Sequence, residues 1–388
     1  MSEQLLLVSL PSSAAPSGGD PQTQLDKWLA ENLTIPHQEF AHFDIPSFKI
    51  GTLDNLVQQS EELAKYDGQL ESIASKAADI INSLYDSENQ IKAAKVIDNR
   101  YTSADYLKHF QWNSSKYRVD KSIGELVDLI TKEVFSLDND VRTSYNSYST
   151  AKSNLSAVDR KQTGNLSVRS LHDVVKREHF VLESEYLRTV LVAVPKASTK
   201  EFLASYETLV PMVVPRSAGV IAEDSEYVLY NVTLFQKYVS QFVAKLRDHK
   251  WSPREFKYSD TLVADLRKEQ AVASETERKL WGEVVRLSKA AYADIVKGWA
   301  HIKALRVFVE SVLRYGLPPN FLTSIFVVPS GRLEKIEKIL IEKFGYLGGN
   351  AFEKDTRGRL KGDSDLHEYG ALVEADYKPF VLYVLPAV

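Results

Sequence analysis

Residues 259–316 read SDTLVADLRKEQAVASETERKLWGEVVRLSKAAYADIVKGWAHIKALRVFVESVLRYG. More than fifty residues pass without a proline, and Gly282 and Gly298 are the only glycines before the last position. Ser259 and Asp260 are N-cap types, because a short side-chain oxygen accepts an orphan amide of the first turn. Gly316, followed by Pro318 and Pro319, is a stop signal. Between them, apolar or small residues stand at Leu280, Val284, Leu287, Ala291, Ile295, Gly298, Ile302, Leu305, Val309 and Val312. The steps alternate four and three, with one extra four from Ala291 to Ile295. That spacing is a coiled-coil seam with one phase shift, not the period of two of a strand.

Length decides what such a helix implies. At 1.5 Å per residue it would be roughly 80 Å long, whereas a compact chain of this size would be only about 55 Å across. The sequence therefore predicts an elongated molecule and a partner along the helix. The partner stands upstream. Ser122 and Glu125 form an S-x-x-E capping box. From there Ile123, Val127, Ile130, Val134, Leu137, Val141, Ser144, Tyr148, Ala151, Leu155 and Val158 keep strict four-three spacing, with Ser144 the one polar member, up to a stop at Gly164. Each aliphatic buried at such a seam contributes about 1.5–3 kcal/mol, so the two segments are expected to pair antiparallel.

The 388 residues include no cysteine, which excludes disulfides, thiolate metal sites and cysteine nucleophiles. Lys+Arg is 48 and Asp+Glu 52, a net charge of −4 with no long basic run. Nucleic acid is not expected as a partner. Hydrophobic residues make up 44%, enough for real cores, and the length suggests two or three folding units. No apolar run is long enough to span a bilayer. Met1 to Leu10 carries Glu3 and lacks the basic front of a signal peptide. A cytosolic protein is expected, and the sequon at Asn165 then carries no meaning.

Taken in order, Leu5–Leu10 reads as a buried strand, Pro21–Asn32 as a short helix and Glu39–Phe48 as a strand closed by Pro46. Leu53 to Leu84 is a third long helix whose seam is interrupted by Ser60 and Asp67. Asp67 is expected to mark where the partner ends rather than to act as a buried register device. Asp86–Lys116 looks loop-rich. Beyond Gly164 the texture becomes a small α+β module: strands at Tyr186–Pro195, Val213–Ile221 and Tyr227–Phe235, helices at Ala197–Leu209 and Gln236–His249. After Pro319 come a strand at Ser324–Val328, a helix at Arg332–Phe344, a glycine-rich bend at Gly345–Asn350, a charged loop at Glu353–Asp365 and a last strand at Phe380–Leu385. The first and last strands lie outside both shaft helices, which places them in one discontinuous domain.

Catalytic motifs are missing. The eight histidines form no H-E-x-x-H, and His37 and His42 have no convincing third ligand. There is no phosphate-binding G-x-x-x-x-G-K-[ST] and no G-x-S-x-G elbow. Gly348-Gly349 is too short for a dinucleotide fingerprint, and Asp363, Asp365 and His367 lack the spacing of a calcium loop. The residues by themselves describe a non-catalytic, rod-shaped connector with no cofactor and no metal.

Several segments resemble the C subunit of the vacuolar-type proton ATPase (V-ATPase), in its fungal form. They are Phe48–Asp54 (FKIGTLD), Thr163–Leu171 (TGNLSVRSL), Thr189–Lys196 (TVLVAVPK), Val220–Val228 (VIAEDSEYV), Ala304–Pro319 (ALRVFVESVLRYGLPP) and Gly345–Phe352 (GYLGGNAF). They run in order along nearly the whole chain. The resemblance implies an α+β molecule of head, neck and foot: foot at residues 1–116 and 318–388, neck helices at 117–163 and 259–317, head at 164–258. It implies a stator role: the head holds one peripheral stalk, a heterodimer of the E and G subunits, and the foot holds a second E–G stalk and the cytosolic N-terminal domain of the membrane-embedded a subunit. It also implies release when the soluble sector leaves the membrane sector, residence on the cytoplasmic face of the vacuolar and endomembrane system, and contact with actin.

Partner-binding candidates follow from position and residue type. Arg254, Phe256 and Tyr258 sit where the head returns to the shaft, and aromatics beside arginine are typical interface anchors; the alternative is that the rings pack on the module's own helices. Phe380, in the last strand, faces a choice between partner and core. Arg169 and His172, just after the first shaft helix, are candidates for an acidic stalk face. Two other classes compete: a filament cross-linker, which asks for a basic patch, and a nucleotide-regulated enzyme, which has only Gly348-Gly349 behind it.

Overall fold

The computed structural model describes residues 3–171, 174–182, 184–256, 258, 262–352 and 378–386. His172, the Ser259 and Asp260 caps and the Glu353–Asp365 loop lie outside these. In chain order the elements are β1 (Glu3–Pro11), α1 (Pro21–Leu33), β2 (Phe40–His42), α2 (Leu53–Leu84), α3 (Glu88–Ala94), α4 (Ser103–Lys108), α5 (Ile123–Thr163), β3 (Leu187–Pro195), α6 (Thr199–Ser205), β4 (Gly219–Glu223), β5 (Tyr227–Phe235), α7 (Val239–Asp248), β6 (Ser252–Arg254), α8 (Leu262–Tyr315), β7 (Phe321–Pro329), α9 (Leu333–Phe344) and β8 (Val381–Pro386). The strands form two four-stranded antiparallel sheets, β2-β7-β1-β8 and β4-β5-β3-β6. The fold is α+β, as the sequence predicts.

Local chemistry sets the helix ends. The capping box ahead of α5 is formed: the Ser122 amide donates to Glu125 Oε2 at 2.9 Å, and the Glu125 amide to Ser122 Oγ at 3.3 Å. Asp20 accepts the Thr23 amide at 3.0 Å ahead of Pro21, the first residue of α1, a position where a missing amide costs nothing. Gly316 ends α8 with φ +86°, the left-handed conformation that glycine adopts without strain.

Three expected strands and loops come out differently. Of Glu39–Phe48 only Phe40–His42 pairs, against Ser324–Phe326 of β7, because Phe43 and Phe48 turn inward to the core. Of Val213–Ile221 only the end joins β4; Met212 and Arg216 take positive φ, which breaks an extended run, and Val213 makes a single bridge to Leu234. Asp86–Lys116 holds two short helices, α3 and α4. The edge strand β6 was not read, since three residues with a central proline carry no pattern.

The chain falls into two compact units, residues 1–145 with 283–388, and residues 146–282. In the first, β1 is buried on both faces. Leu6, Val8 and Leu10 pack with α1 and α9; Leu5 and Leu7 pack toward α2, α5 and α8. The α8 residues of this unit are more than a seam: Tyr292, Val296, Trp299 and Phe308 are buried alongside Ala291, Ile295, Ile302 and Leu305. This half of α8 is a core helix, apolar on most of its circumference. Gly298 lets α5 come close, since a Cβ there would meet Val134 Cγ2 at 2.5 Å. Helix α2 runs alongside α5, with Tyr66 beside Phe135 and Ser83 bonded to Tyr145.

Asp67 does not mark the end of a partner. It is 2% exposed and accepts from Trp299 Nε1 at 3.0 Å and from Lys303 Nζ and Arg306 Nη1 at 2.6 Å each. Arg306 also bonds Glu310 at 3.0 Å, and both cations lie over the Tyr383 ring, at 4.8 and 4.6 Å. A polar residue interrupting an apolar seam here is the anchor of a buried ion network joining α2, α8 and β8.

In the second unit, α6, α7 and the residues that follow each cover one face of the sheet through Phe202, Tyr206, Phe242, Leu246 and Trp251. Leu166, Leu171 and Val175, from the chain just after α5, cover part of the other face over Leu191, Ala193 and Leu229. The seam residues Tyr148, Ala151 and Val158 of α5 are buried, and Gln270 of α8 donates to Asp159 of α5 at 3.1 Å.

Candidate interaction surface

Of the six candidate residues, four lie together in the second unit. Arg254 pairs in register with Leu191 at the β6 edge. Its guanidinium reaches the chain that follows α5 and donates to the carbonyls of Ser167, Val168 (3.3 Å) and Arg169 (2.5 Å). Burial holds its pKa below the usual arginine value. Three carbonyls thus take the donors that an interface anchor would offer to a partner.

An opposite clasp holds the same chain from the other side. Asp224 accepts the amides of Leu166 (2.6 Å), Tyr227 (2.6 Å) and Glu226 (2.8 Å), and Asn165 donates to Glu226 at 2.9 Å. Burial would raise the Asp224 pKa; the three amides and nearby Arg169 outweigh it and leave it below the ordinary carboxylate value. The Arg169 side chain is close enough to Asp224 to act on it, and its Nε is buried without a hydrogen-bond partner among the described residues.

Phe256 and Tyr258 are half-buried. Both rings lie 5.6 Å from that of Phe180, so they pack on a loop of their own unit rather than on its helices. Phe380 is in the other unit, 1% exposed and 6.3 Å from Phe344. It closes the core between the sheet and α9 and has no face to offer a partner. His172 lies outside the described residues.

Val168 and Leu182, next to these contacts, are exposed apolar residues, and a further group of the second unit stands away from them. At one end of its sheet stand Tyr186 (69% exposed), Met212 (61%) and Phe235 (39%). Their backbones are neighbours: Gln236 donates to the Tyr186 carbonyl at 2.7 Å and Phe235 to that of Met212 at 3.2 Å. Large apolar side chains exposed on neighbouring backbone in this way make a candidate interaction surface. The sequence carried a faint signal for it, since Phe235 is a large apolar residue on the face of β5 that otherwise carries Asn231 and Thr233.

The family model for the V-ATPase C subunit matches residues 5–381. The V-type proton ATPase C subunit of Saccharomyces cerevisiae is 49% identical over 381 residues, covering 98% of this chain and 97% of that one. The V-type proton ATPase C 1-A subunit of Danio rerio is 38% identical over 342 residues, and the C 1 subunit of Bos taurus 39%, each over 88% of both chains. A solved structure of the cytoplasmic N-terminal domain of the I subunit, homolog of the a subunit, of V-ATPase overlays with a TM-score of 0.30 at 15% identity, covering 89% of this chain and 98% of that one, too low a score to support an inference. On a family match from residue 5 to residue 381 and close identity along almost the whole length, this chain belongs to the V-ATPase C-subunit family.

Proposed function

We propose that the chain is a non-catalytic stator and connector of a V-type proton ATPase. The observation that carries the reading is the 49% identity, over 98% of this chain, to a protein named as the C subunit of that ATPase. In this reading residues 164–258 form a head that holds one E–G stalk. Residues 1–116 and 318–388 form a foot that holds a second stalk and the N-terminal domain of the a subunit. The long helices between them form the neck of an elongated, three-part molecule. Torque between the two sectors of a rotary machine asks for stiff connections, and reversible release asks for several modest interfaces that are strong only together.

The expected site is the cytoplasmic face of the vacuolar and endomembrane system; no helix among the described residues is long and apolar enough to cross a membrane. The comparisons give no support to the filament cross-linker reading. For the head, the exposed surface at Tyr186 and Met212 is the better partner site than Arg254 or Phe256, whose side chains are engaged internally. The test is calorimetric titration of the full chain with a purified E–G heterodimer. Saturable binding is expected, weakened about tenfold, or about 1.4 kcal/mol, by Tyr186→Ser with Met212→Ser. No complex with the unsubstituted chain would remove the stalk assignment.

A further inference from the structure

The first unit holds a cleft of about 820 Å³ that the stator reading does not use. Its floor is the His301 ring, 4.8 Å from the rings of Trp112 and Tyr117 and 5.1 Å from Phe110. Tyr101 and Tyr106 extend the aromatic wall. Both His301 nitrogens are engaged: Nδ1 donates to the Lys297 carbonyl at 2.7 Å and Nε2 accepts the Asn113 amide at 3.1 Å. The histidine therefore offers the cleft a ring and not a proton.

The charges around the cleft are Arg100, Lys116 and Lys297 against Asp44, Asp98 and Asp294, with His42 and His109 at the rim. Lys116 is bonded to Glu133, outside the lining. Lys297 is 2.7 Å from Asp98 and 3.8 Å from Asp294. Arg100 lies over the Tyr101 ring at 5.0 Å. Among the described residues, that leaves Asp44 with only His42, at 4.0 Å, and leaves Asp294 with a lysine that is closer to another carboxylate. Burial raises the Tyr106 pKa, and the charges of Asp98 and Asp294 add to the shift. With Lys116 taken by Glu133, the three lining carboxylates face two cations, Arg100 and Lys297, and carboxylates beside aromatic rings suit a further cation that can stack.

We propose that this cleft receives an arginine side chain carried on a segment of a partner protein. A guanidinium fits better than an ammonium, because it is planar, stacks on aromatic rings and meets carboxylates with two parallel hydrogen bonds. The proposal does not rest on the stator reading.

The test titrates the full chain with an acetylated, amidated glycine peptide bearing one arginine, following the Trp112 indole N–H resonance, assigned with Trp112→Phe. That N–H donates to the Tyr117 carbonyl at 2.8 Å in the cleft wall. Parallel titrations use the same peptide with glutamate, and spermidine. A saturable shift with the arginine peptide alone is expected, and Asp44→Asn with Asp294→Asn should weaken it tenfold or more. These two aspartates have side chains 61% and 46% exposed, so their loss does not threaten folding. No saturable shift into the millimolar range, an equal response to the glutamate peptide, or unchanged affinity in the double variant would overturn the proposal. Spermidine binding as tightly as the arginine peptide would overturn the partner segment and make the ligand a free polyamine.

Discussion

Three residues of the first unit show how single side chains set its stability. Gly298→Ala places a methyl 2.5 Å from Val134 Cγ2. The gain in helix propensity, about 1 kcal/mol, is outweighed by overpacking of about 1–3 kcal/mol, so the urea midpoint should fall. Gly282→Ala, where nothing lies within 4 Å, should raise it, and a rise for both would show that the helices separate freely at Gly298. Asp67→Ala leaves Lys303, 3% exposed, without its carboxylate; an orphaned buried charge costs about 3–5 kcal/mol. Adding Lys303→Met should recover most of that loss in a double-mutant cycle. If it recovers nothing, Asp67 acts through packing. Burial pushes the His301 imidazole down to about 4, so the unfolded chain takes up its proton at higher pH than the folded one. This contribution is fully present above about pH 6.5 and is lost as the pH falls toward 4, with a slope of up to about 1.4 kcal/mol per pH unit. His301→Gln should flatten the loss of stability between pH 6.5 and 4.5, and an unchanged slope would mean that other groups carry it.

Among elements, the short chain after α5 has the most consequential contacts. Arg254 and Asp224 hold residues 165–169 from two sides, one through carbonyls and one through an amide. Arg254→Ala should speed hydrogen exchange at Leu166 to Arg169 while leaving β5 protected; equal protection in both proteins would show that Asp224 suffices. None of this was visible in the sequence, where Arg254 beside Phe256 and Tyr258 reads as an interface anchor, because backbone carbonyls leave no residue pattern. The long helices were legible for the opposite reason. A seam at three-four spacing repeats its signal over many turns, and α2, α5 and α8 emerge close to their predicted bounds. What the seam hides is a second buried face: Tyr292, Val296 and Trp299 lie off the line from Ala291 to Ile302, and only a sheet and two helices packed around α8 give them a use. Asp67 was misread on the same ground. A charged residue in a seam looks like an ending unless Lys303 and Arg306, more than two hundred positions away, are known to face it.

For the whole molecule, the central fact is that each unit has cores of its own. Val192, Phe202, Phe242 and Trp251 form one in the second unit, and the apolar residues of α2, α8 and β1 form another in the first. The chain connects them only through α5 and α8, each continuous from one unit into the other. A helix alone transmits little folding cooperativity, since most helical stability comes from the packing of its apolar face. The two units should therefore unfold in separate transitions rather than one. Phe242→Ala, which empties a fully buried site at a cost of about 3–5 kcal/mol, should lower the denaturant midpoint seen by hydrogen exchange at β3 and β5. The midpoint at β1 and β7 should stay within error. If both sets of amides shift together, the continuous helices couple the cores fully, and a load on one unit would reach the other as strain. If they shift apart, one unit can loosen while the other stays folded, as the proposed reversible release of a stator asks.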